Sequence, residues 1–351
     1  MKESGVLDAL ALSRDIPLSK NRDGTEKTVQ LQFYEKFQIL STAFSNEGDM
    51  AAVATSAKTV LILDTKNSLT LLRSFRIPKS PTAVIFDVKD EYVVVADRAG
   101  VVRKYHVERA EESKVNQEND DDEDDDETDF EGQFVASAVS MTLSLSFSSC
   151  GKLLYVTDRD EKLRVYRYPE TYVLHSMCLG HKEYVSSVAS FTFHSIPIAV
   201  TCGGDETLRV WNGLEGNQMA MSSLGGPGRI VKVVQRKSCP LVIVSINNTS
   251  TIVVYSLDES CKQLTEMMRK DVGEGKVMDI IEYHDKIAVV SSDGLAIVSM
   301  EEDTESVWIE LDEEAKTVLS TLNDPIPELK KNVAHDNMKD YQEVFAQGYC
   351  M

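Results

Sequence analysis

From about residue 37 the chain alternates short apolar runs with polar turns. ILSTAFS, MAAVATS, TVLILDT and LTLLRSF come first, then TAVIFDV, EYVVVAD and VVRKYHV. After an interruption come MTLSLSFSS, KLLYVTD, KLRVYRY and VLHSMCL, then SSVASFTF, IPIAVTC, TLRVWNG and QMAMSSL. IVKVVQ, LVIVSIN, TIVVYSL and CKQLTEM follow, and VMDIIEY, IAVVSS, LAIVSM and VWIEL close the series. Runs of this length, rich in Val, Ile, Leu and Thr and bounded by turn residues, predict antiparallel strands. The turn between the second and third run of each set falls near Ala57, Ala99, Asp160, Asp205, Asn248 and Asp293, at separations of 42, 61, 45, 43 and 45 residues. The one long interval holds an insertion, at about 110–133, and removing it restores the period. Four strands in every 40–45 residues or so is the pattern of a β-propeller blade. Lone blades cannot bury both faces, so the blades must pack side by side in a ring.

The expected fold is therefore all-β, a WD40-type propeller over residues 1–312. Six blades are read directly. Residues 1–35, where VLDALALS and TVQLQFY are candidate strands, are expected to supply a seventh blade and the closure, with part of the C-terminal segment. Residues 313–351 read as a linker, NDPIPELKK, and a short helix at Asn337–Ala346, whose Met338, Tyr341, Val344 and Phe345 recur at helical spacing. That helix either packs on its own propeller or binds a partner. The core of the insertion, Glu118–Glu131, carries eleven carboxylates. Such a block repels itself and has little to bury, so it is expected to be disordered. It is either a solvated loop or a contact for a basic partner, on the face opposite the Asp158–Lys162 turn.

Charge narrows the function classes. A net charge of −20 makes a broad grip on a phosphate backbone unexpected, because that grip needs clustered Lys and Arg. The six cysteines are scattered without a C-x-x-C pair and read as reduced packing residues. The apolar run near the N-terminus is too short for a signal peptide, and no run approaches the length of a membrane span.

No catalytic or metal site is expected. H-E-x-x-H, Walker and G-x-S-x-G sequences are missing from the chain. Gly273-Glu274-Gly275-Lys276 lacks the upstream glycine of a phosphate loop, and Gly225-Gly226-Pro227-Gly228 reads as an inter-blade loop. His181, Thr201, Asp205 and Trp211 occupy the positions of a structural hydrogen-bond network of WD repeats, and are not a catalytic set despite the nearby Ser186 and Ser187. The turn of Asp158, Arg159, Asp160, Glu161 and Lys162, followed by Arg164, is different. Its alternating charges exceed those of the equivalent turns TSAKT, DRAGV, GGDET, INNTS and SSDGL. It is either a solvated turn or a protein–protein contact built from paired charges.

TDRDEKLRVYRYPETY, CLGHKEYVSS and GGDETLRVW together resemble the non-catalytic WD-repeat subunit of the tRNA (guanine-N7)-methyltransferase. VVVADRAGVVRKY resembles the preceding blade of that family, and HDNMKDY is similar to its C-terminal segment. The close match covers about 60 residues, and the blade layout covers most of the chain. The resemblance implies a seven-bladed propeller and a heterodimer with a catalytic methyltransferase subunit. That partner would carry S-adenosylmethionine, and this chain would carry no cofactor. The complex would methylate N7 of a guanosine in the tRNA variable loop, meet tRNA mainly through the assembled complex, and be nuclear. By the same resemblance Asp158, Arg159, Asp160, Glu161, Lys162 and Arg164 bind the partner, with Arg164 pairing an acidic residue there and Glu161 next in weight. The other classes are a WD-repeat adaptor of a ubiquitin-ligase or chromatin complex, and a propeller enzyme.

Overall fold

The computed structural model describes residues 38–108 except 68, residues 132–283 except 237–238, and residues 286–291 and 294–299, with the backbone of strands at 15–20, 26–30 and 307–310. A two-stranded antiparallel hairpin, β1 (Asp15–Lys20) and β2 (Glu26–Gln30), comes first. Six four-stranded antiparallel sheets follow. Blade I is β3 (Ile39–Phe44), β4 (Met50–Thr55), β5 (Thr59–Asp64) and β6 (Thr70–Arg76). Blade II is β7 (Pro81–Phe86), β8 (Tyr92–Asp97), β9 (Val101–His106) and β10 (Gln133–Ser137). Blade III is β11 (Thr142–Phe147), β12 (Leu153–Asp158), β13 (Lys162–Arg167) and β14 (Leu174–Leu179). Blade IV is β15 (Val185–Phe193), β16 (Ile196–Gly203), β17 (Thr207–Asn212) and β18 (Gln218–Ser223). Blade V is β19 (Gly228–Val234), β20 (Leu241–Ile246), β21 (Thr251–Leu257) and β22 (Leu264–Asp271). Blade VI is β23 (Val277–Tyr283), β24 (Lys286–Ser291), β25 (Gly294–Ser299) and β26 (Val307–Glu310).

Two expectations are corrected. Among the described residues the propeller has six blades, not seven: the described strands of the N-terminal segment are two short ones that pair with each other and join no blade sheet. The described strands there are DIPLSK and EKTVQ, and a blade needs four. The described residues hold no helix, so the all-β fold has no observed helical element, and the helix expected at Asn337–Ala346 lies outside them. So do the acidic core of the insertion and all of 313–351. One strand escaped the sequence pattern: β10, five residues beside the carboxylate tract, completes blade II.

Packing explains the sequence pattern. Second strands such as β4 and β12 are buried along nearly their whole length, because neighbouring blades cover both of their faces. They therefore read as continuous apolar runs rather than alternating ones. Fourth strands such as β22 are largely open and more polar. The core is a series of seams. Ala52, Ile62, Val84 and Val93 join blades I and II. Ala83, Val94, Leu154 and Val156 join II and III. Leu153, Tyr155, Val165 and Trp211 join III and IV. Val200, Leu208, Val244 and Val253 join IV and V, and Val254, Ile287 and Val289 join V and VI. Serines on first strands staple the seams: Ser41, Ser144 and Ser187 accept from the N–H groups of Val84, Val188 and Val231, each on the next blade, at 3.1–3.3 Å.

Two further repeats set up the site. Every first strand shifts register near its start, between Ile39 and Ser41 in blade I and at the matching place in the other five. A turn N–H after the second strand of blades I to V donates to the carbonyl just before the same blade's first strand. The pairs are Ser56 to Gln38, Arg98 to Ser80, Arg159 to Met141, Gly204 to Tyr184 and Asn247 to Pro227, at 2.7–3.0 Å. The turns between second and third strands and the crossovers between blades thus share one face. The insertion leaves β9 on the opposite face.

Candidate functional site

Blades III and IV carry the predicted residues on adjacent turns of that face. In blade IV the structure brings His181, Thr201, Asp205 and Trp211 together. Trp211 Nε1 donates to Thr201 Oγ1 at 2.8 Å, Thr201 Oγ1 meets His181 Nε2 at 2.8 Å, and His181 Nδ1 meets Asp205 Oδ1 at 2.9 Å. The donors and acceptors close if His181 carries its proton on Nδ1: Trp211 donates to Thr201, Thr201 to His181, His181 to Asp205. Thr207 Oγ1 adds a bond to Asp205 Oδ1 at 2.7 Å, and Arg209 reaches Asp205 Oδ2 at 3.4 Å and Gln218 Oε1 at 2.6 Å. Burial pushes the Asp205 carboxyl up, but the hydrogen bonds from His181, then Thr207 and the Lys182 N–H, outweigh it and hold the group well below the usual carboxylate range. Gly180 leaves room for this packing. A Cβ there would lie 2.7 Å from Arg209 Nη1 and 3.1 Å from the Trp211 ring.

This network does no acid–base chemistry. Ser186 Oγ donates toward Gly228 O at 2.6 Å and Cys202 O at 3.0 Å, and Ser187 Oγ accepts from Val231 N–H, so neither serine is presented to His181. Cys178 and Cys202 are buried, with thiols pushed up to about 12 by desolvation, which suits packing rather than nucleophilic attack. Cys150 is exposed and unpaired. Among the described residues no group of His, Cys, Asp and Glu could hold a metal ion.

Blade III divides its six charges into two sets. Asp158 and Arg164 are buried, and Arg164 Nη1 donates to Asp158 Oδ2. Asp158 Oδ1 also accepts from the N–H groups of Asp160 at 2.9 Å and Lys162 at 3.0 Å. Asp97 holds the blade II turn the same way, accepting from Ala99 at 2.8 Å and Val101 at 3.1 Å, with the charge of Arg103 acting on it. Alignment on L-R-V matches Asp160 with Asp205. The residue that does for blade III what Asp205 does for blade IV is instead Asp158, two positions earlier. Arg164, expected to pair with a partner, lies here at the edge of the buried set against Asp158, and the D-x5-R spacing shared by Asp97/Arg103 and Asp158/Arg164 was the available sequence signal.

The remaining four, Arg159, Asp160, Glu161 and Lys162, form the surface of the turn. Glu161 takes a left-handed conformation (φ 73°), as do Lys58, Gly100, Glu206 and Asn248 in the other turns, so its backbone is set by the turn. Lys162 Nζ donates to the Asp160 carbonyl at 2.7 Å. Arg159 Nε and Asp160 Oδ1 are buried atoms with no hydrogen-bond partner among the described residues. Each such group costs about 1–3 kcal/mol until something satisfies it. Two residues absent from the sequence expectation flank the turn. Leu179, 63% exposed, lies opposite Lys162 across β13 and β14, and Val139, 87% exposed, sits in the crossover whose Met141 carbonyl accepts from Arg159. Their signal was an apolar side chain at a position open to solvent. A charged centre with unsatisfied atoms and apolar shoulders can bind a protein surface; it offers no nucleophile with a base.

The comparisons with known proteins agree with the repeat pattern. A family model described as the tRNA methyltransferase TRM82 WD40 domain matches residues 101–319, which takes in all of blades III to VI. A Caenorhabditis elegans protein named tRNA (guanine-N(7)-)-methyltransferase non-catalytic subunit is 31% identical over 272 residues, 76% of this chain and 63% of its own length. The Drosophila ananassae subunit wuho is 36% identical over 124 residues, 33% of this chain and 30% of its own. The Dictyostelium discoideum subunit wdr4 is 25% identical over 228 residues, 63% of this chain and 49% of its own. The chain thus spans less than two thirds of the length of these relatives. A chain of the mitotic checkpoint complex crystal structure shares the fold alone, with a TM-score of 0.60 at 15% identity over 79% of this chain and 83% of that one. The extent of the family match, across more than half of the sequence, places this chain in the tRNA methyltransferase TRM82 WD40 domain family.

Proposed function

We propose that this chain is the non-catalytic subunit of a heterodimeric tRNA (guanine-N7)-methyltransferase. The observation that carries the proposal is the family match over residues 101–319, which includes the charged turn of blade III. The catalytic subunit docks on that turn. The half-buried Arg159, Asp160, Glu161 and Lys162 offer it charge of both signs, and Val139 and Leu179 offer apolar contact. Rim charges of this kind set orientation and partner choice, while apolar anchors supply affinity. Asp158 and Arg164 act from within by holding the turn in shape.

In this reading the propeller contributes position rather than chemistry. The partner holds S-adenosylmethionine and transfers its methyl group to N7 of a guanosine in the tRNA variable loop, in the nucleus. Loss of the chain then removes N7-methylguanosine from tRNA. Mapping that modification in cells lacking the protein is the test: unchanged methylation rules the proposal out, and so does purified protein whose dominant stoichiometric partner is anything other than a methyltransferase.

A further inference from the structure

We propose that the face opposite the charged turn binds a basic segment of a further protein, through an apolar patch where blades III and IV meet. The inference stands apart from the methyltransferase reading. Four side chains carry it. Tyr172, 86% exposed, lies in the turn between β13 and β14, and Leu174, 44% exposed, opens β14. Ile196, 38% exposed, opens β16, and Leu214, 48% exposed, lies in the turn between β17 and β18.

Hydrogen bonds and close packing gather them across the seam. Gly213 N–H donates to Pro197 O at 2.8 Å, which sets Leu214 beside Ile196. Ser176 Oγ, on β14, donates to Gly213 O at 3.2 Å. The blade IV turn lies close against β14: a Cβ at Gly216 would stand 3.0 Å from Met177 O and 3.3 Å from Ser176 Cβ. Leu174 and Leu179 occupy the two ends of β14, roughly 17 Å apart at ordinary strand rise. The patch is therefore remote from the charged turn, and both faces can be occupied at once.

Charge selects the occupant. In the turns of this face on blades I to IV, Glu47, Glu91, Glu108, Glu170 and Glu215 are exposed. Asp49, Asp87 and Asp90 are engaged by Ser45, by the Glu91 and Tyr92 N–H groups and by Asn46. The lysines there are Lys66, which pairs with Asp49, and the exposed Lys89 and Lys152. Arg167, next to the patch, donates to His175 Nδ1 at 3.3 Å. The chain that carries the eleven carboxylates of Glu118–Glu131 also leaves this face after Glu108 and returns to it at Gly132. A nucleic acid, or a second copy of this chain at −20, meets repulsion on such a surface. A protein segment with Lys or Arg on both sides of one large apolar side chain meets charge of the right sign and an apolar anchor together. Tyr172 suits that contact, because its ring offers a large area with few rotamers to order.

The test is fluorescence anisotropy of the full chain with labelled synthetic peptides that carry Lys and Arg on both sides of a Trp, Phe or Leu. One matched set has Glu in place of each cation, and another has Ser in place of the apolar residue. The basic, apolar peptides are expected to bind, and both matched sets to bind about tenfold more weakly or worse. Tyr172→Ala with Leu214→Ser should lower affinity by about tenfold or more, and Glu170→Lys with Glu215→Lys by about threefold to tenfold. All four positions are exposed, so thermal melts of both variants should match the wild type. Val139→Ser with Leu179→Ser, on the charged-turn face, should leave peptide affinity unchanged. Basic peptides that fail to bind overturn the inference. So does binding that survives Tyr172→Ala with Leu214→Ser, which carboxylates alone would then hold. A wild-type dimer in sedimentation that this variant abolishes overturns it as well, because a second copy would then cover the patch. Co-purification with a methyltransferase decides the functional proposal separately.

Discussion

Blades III and IV are neighbours built on one backbone plan, yet their turns use buried charge differently. In both, an aspartate braces the turn and an arginine on the third strand answers it: Asp158 with Arg164, Asp205 with Arg209. Blade IV surrounds its aspartate with His181 and Thr207 and runs the chain on through Thr201 to Trp211, so its polar atoms are consumed in holding strands together. Blade III meets its aspartate with one arginine and two turn N–H groups, and leaves four further charges at the surface, two with unsatisfied atoms. The difference separates two jobs that look alike in sequence. A charged turn on a blade can be glue, and a partner meets the side chains at its surface.

The largest expected effect breaks the simpler of the two arrangements. Arg164→Ala leaves Asp158 as a buried carboxylate without its cation and should cost about 3–5 kcal/mol of stability, read as a fall in denaturation midpoint. Thr201→Val removes the link between Trp211 and His181 and strands a buried N–H and a ring nitrogen, so a loss of about 2 kcal/mol is expected by the same measurement. Arg209→Ala should cost less, about 1 kcal/mol, because Asp205 keeps His181 and Thr207. An Arg209→Ala loss equal to that of Arg164→Ala would show that the blade IV network does not share its load. The smallest effect is acid sensitivity. The depressed Asp205 carboxyl contributes stability that is fully present above about pH 4, its ordinary range, and is lost as pH falls through the lower folded value. Thermal melts from pH 7 to pH 2 should show a steeper decline in the wild type than in Asp205→Asn.

Much of this was legible in the chain and some was not. The blade period came through because second and third strands, such as MAAVAT and TVLILD, are apolar along most of their length and stand out from turns. The blade count failed at the N-terminus, where two strand-like runs were read as part of a seventh blade. β10 was hidden by the acidic tract beside it. At the site, His181, Thr201, Asp205 and Trp211 were found because glycine, histidine, aspartate and tryptophan keep a fixed spacing. The pairing of Arg164 with Asp158 was not, since in a strand the partner of a side chain depends on what the neighbouring turn places beneath it. Here that was Asp158, two residues from where the repeat alignment looked. Leu179 and Val139 were invisible for a related reason: an apolar residue at or just past the end of a strand looks like core until the neighbouring blade is in place.

The central claim is that the surface charges of the blade III turn bind the catalytic subunit while the buried pair only shapes the turn. Its most direct test is the Arg159→Glu, Glu161→Lys double reversal, with affinity for the co-expressed methyltransferase measured alongside the denaturation midpoint. The account predicts that affinity falls by two orders of magnitude or so, about 2–3 kcal/mol, with the midpoint within roughly 2 °C of wild type. A complex that forms with unchanged affinity would contradict it.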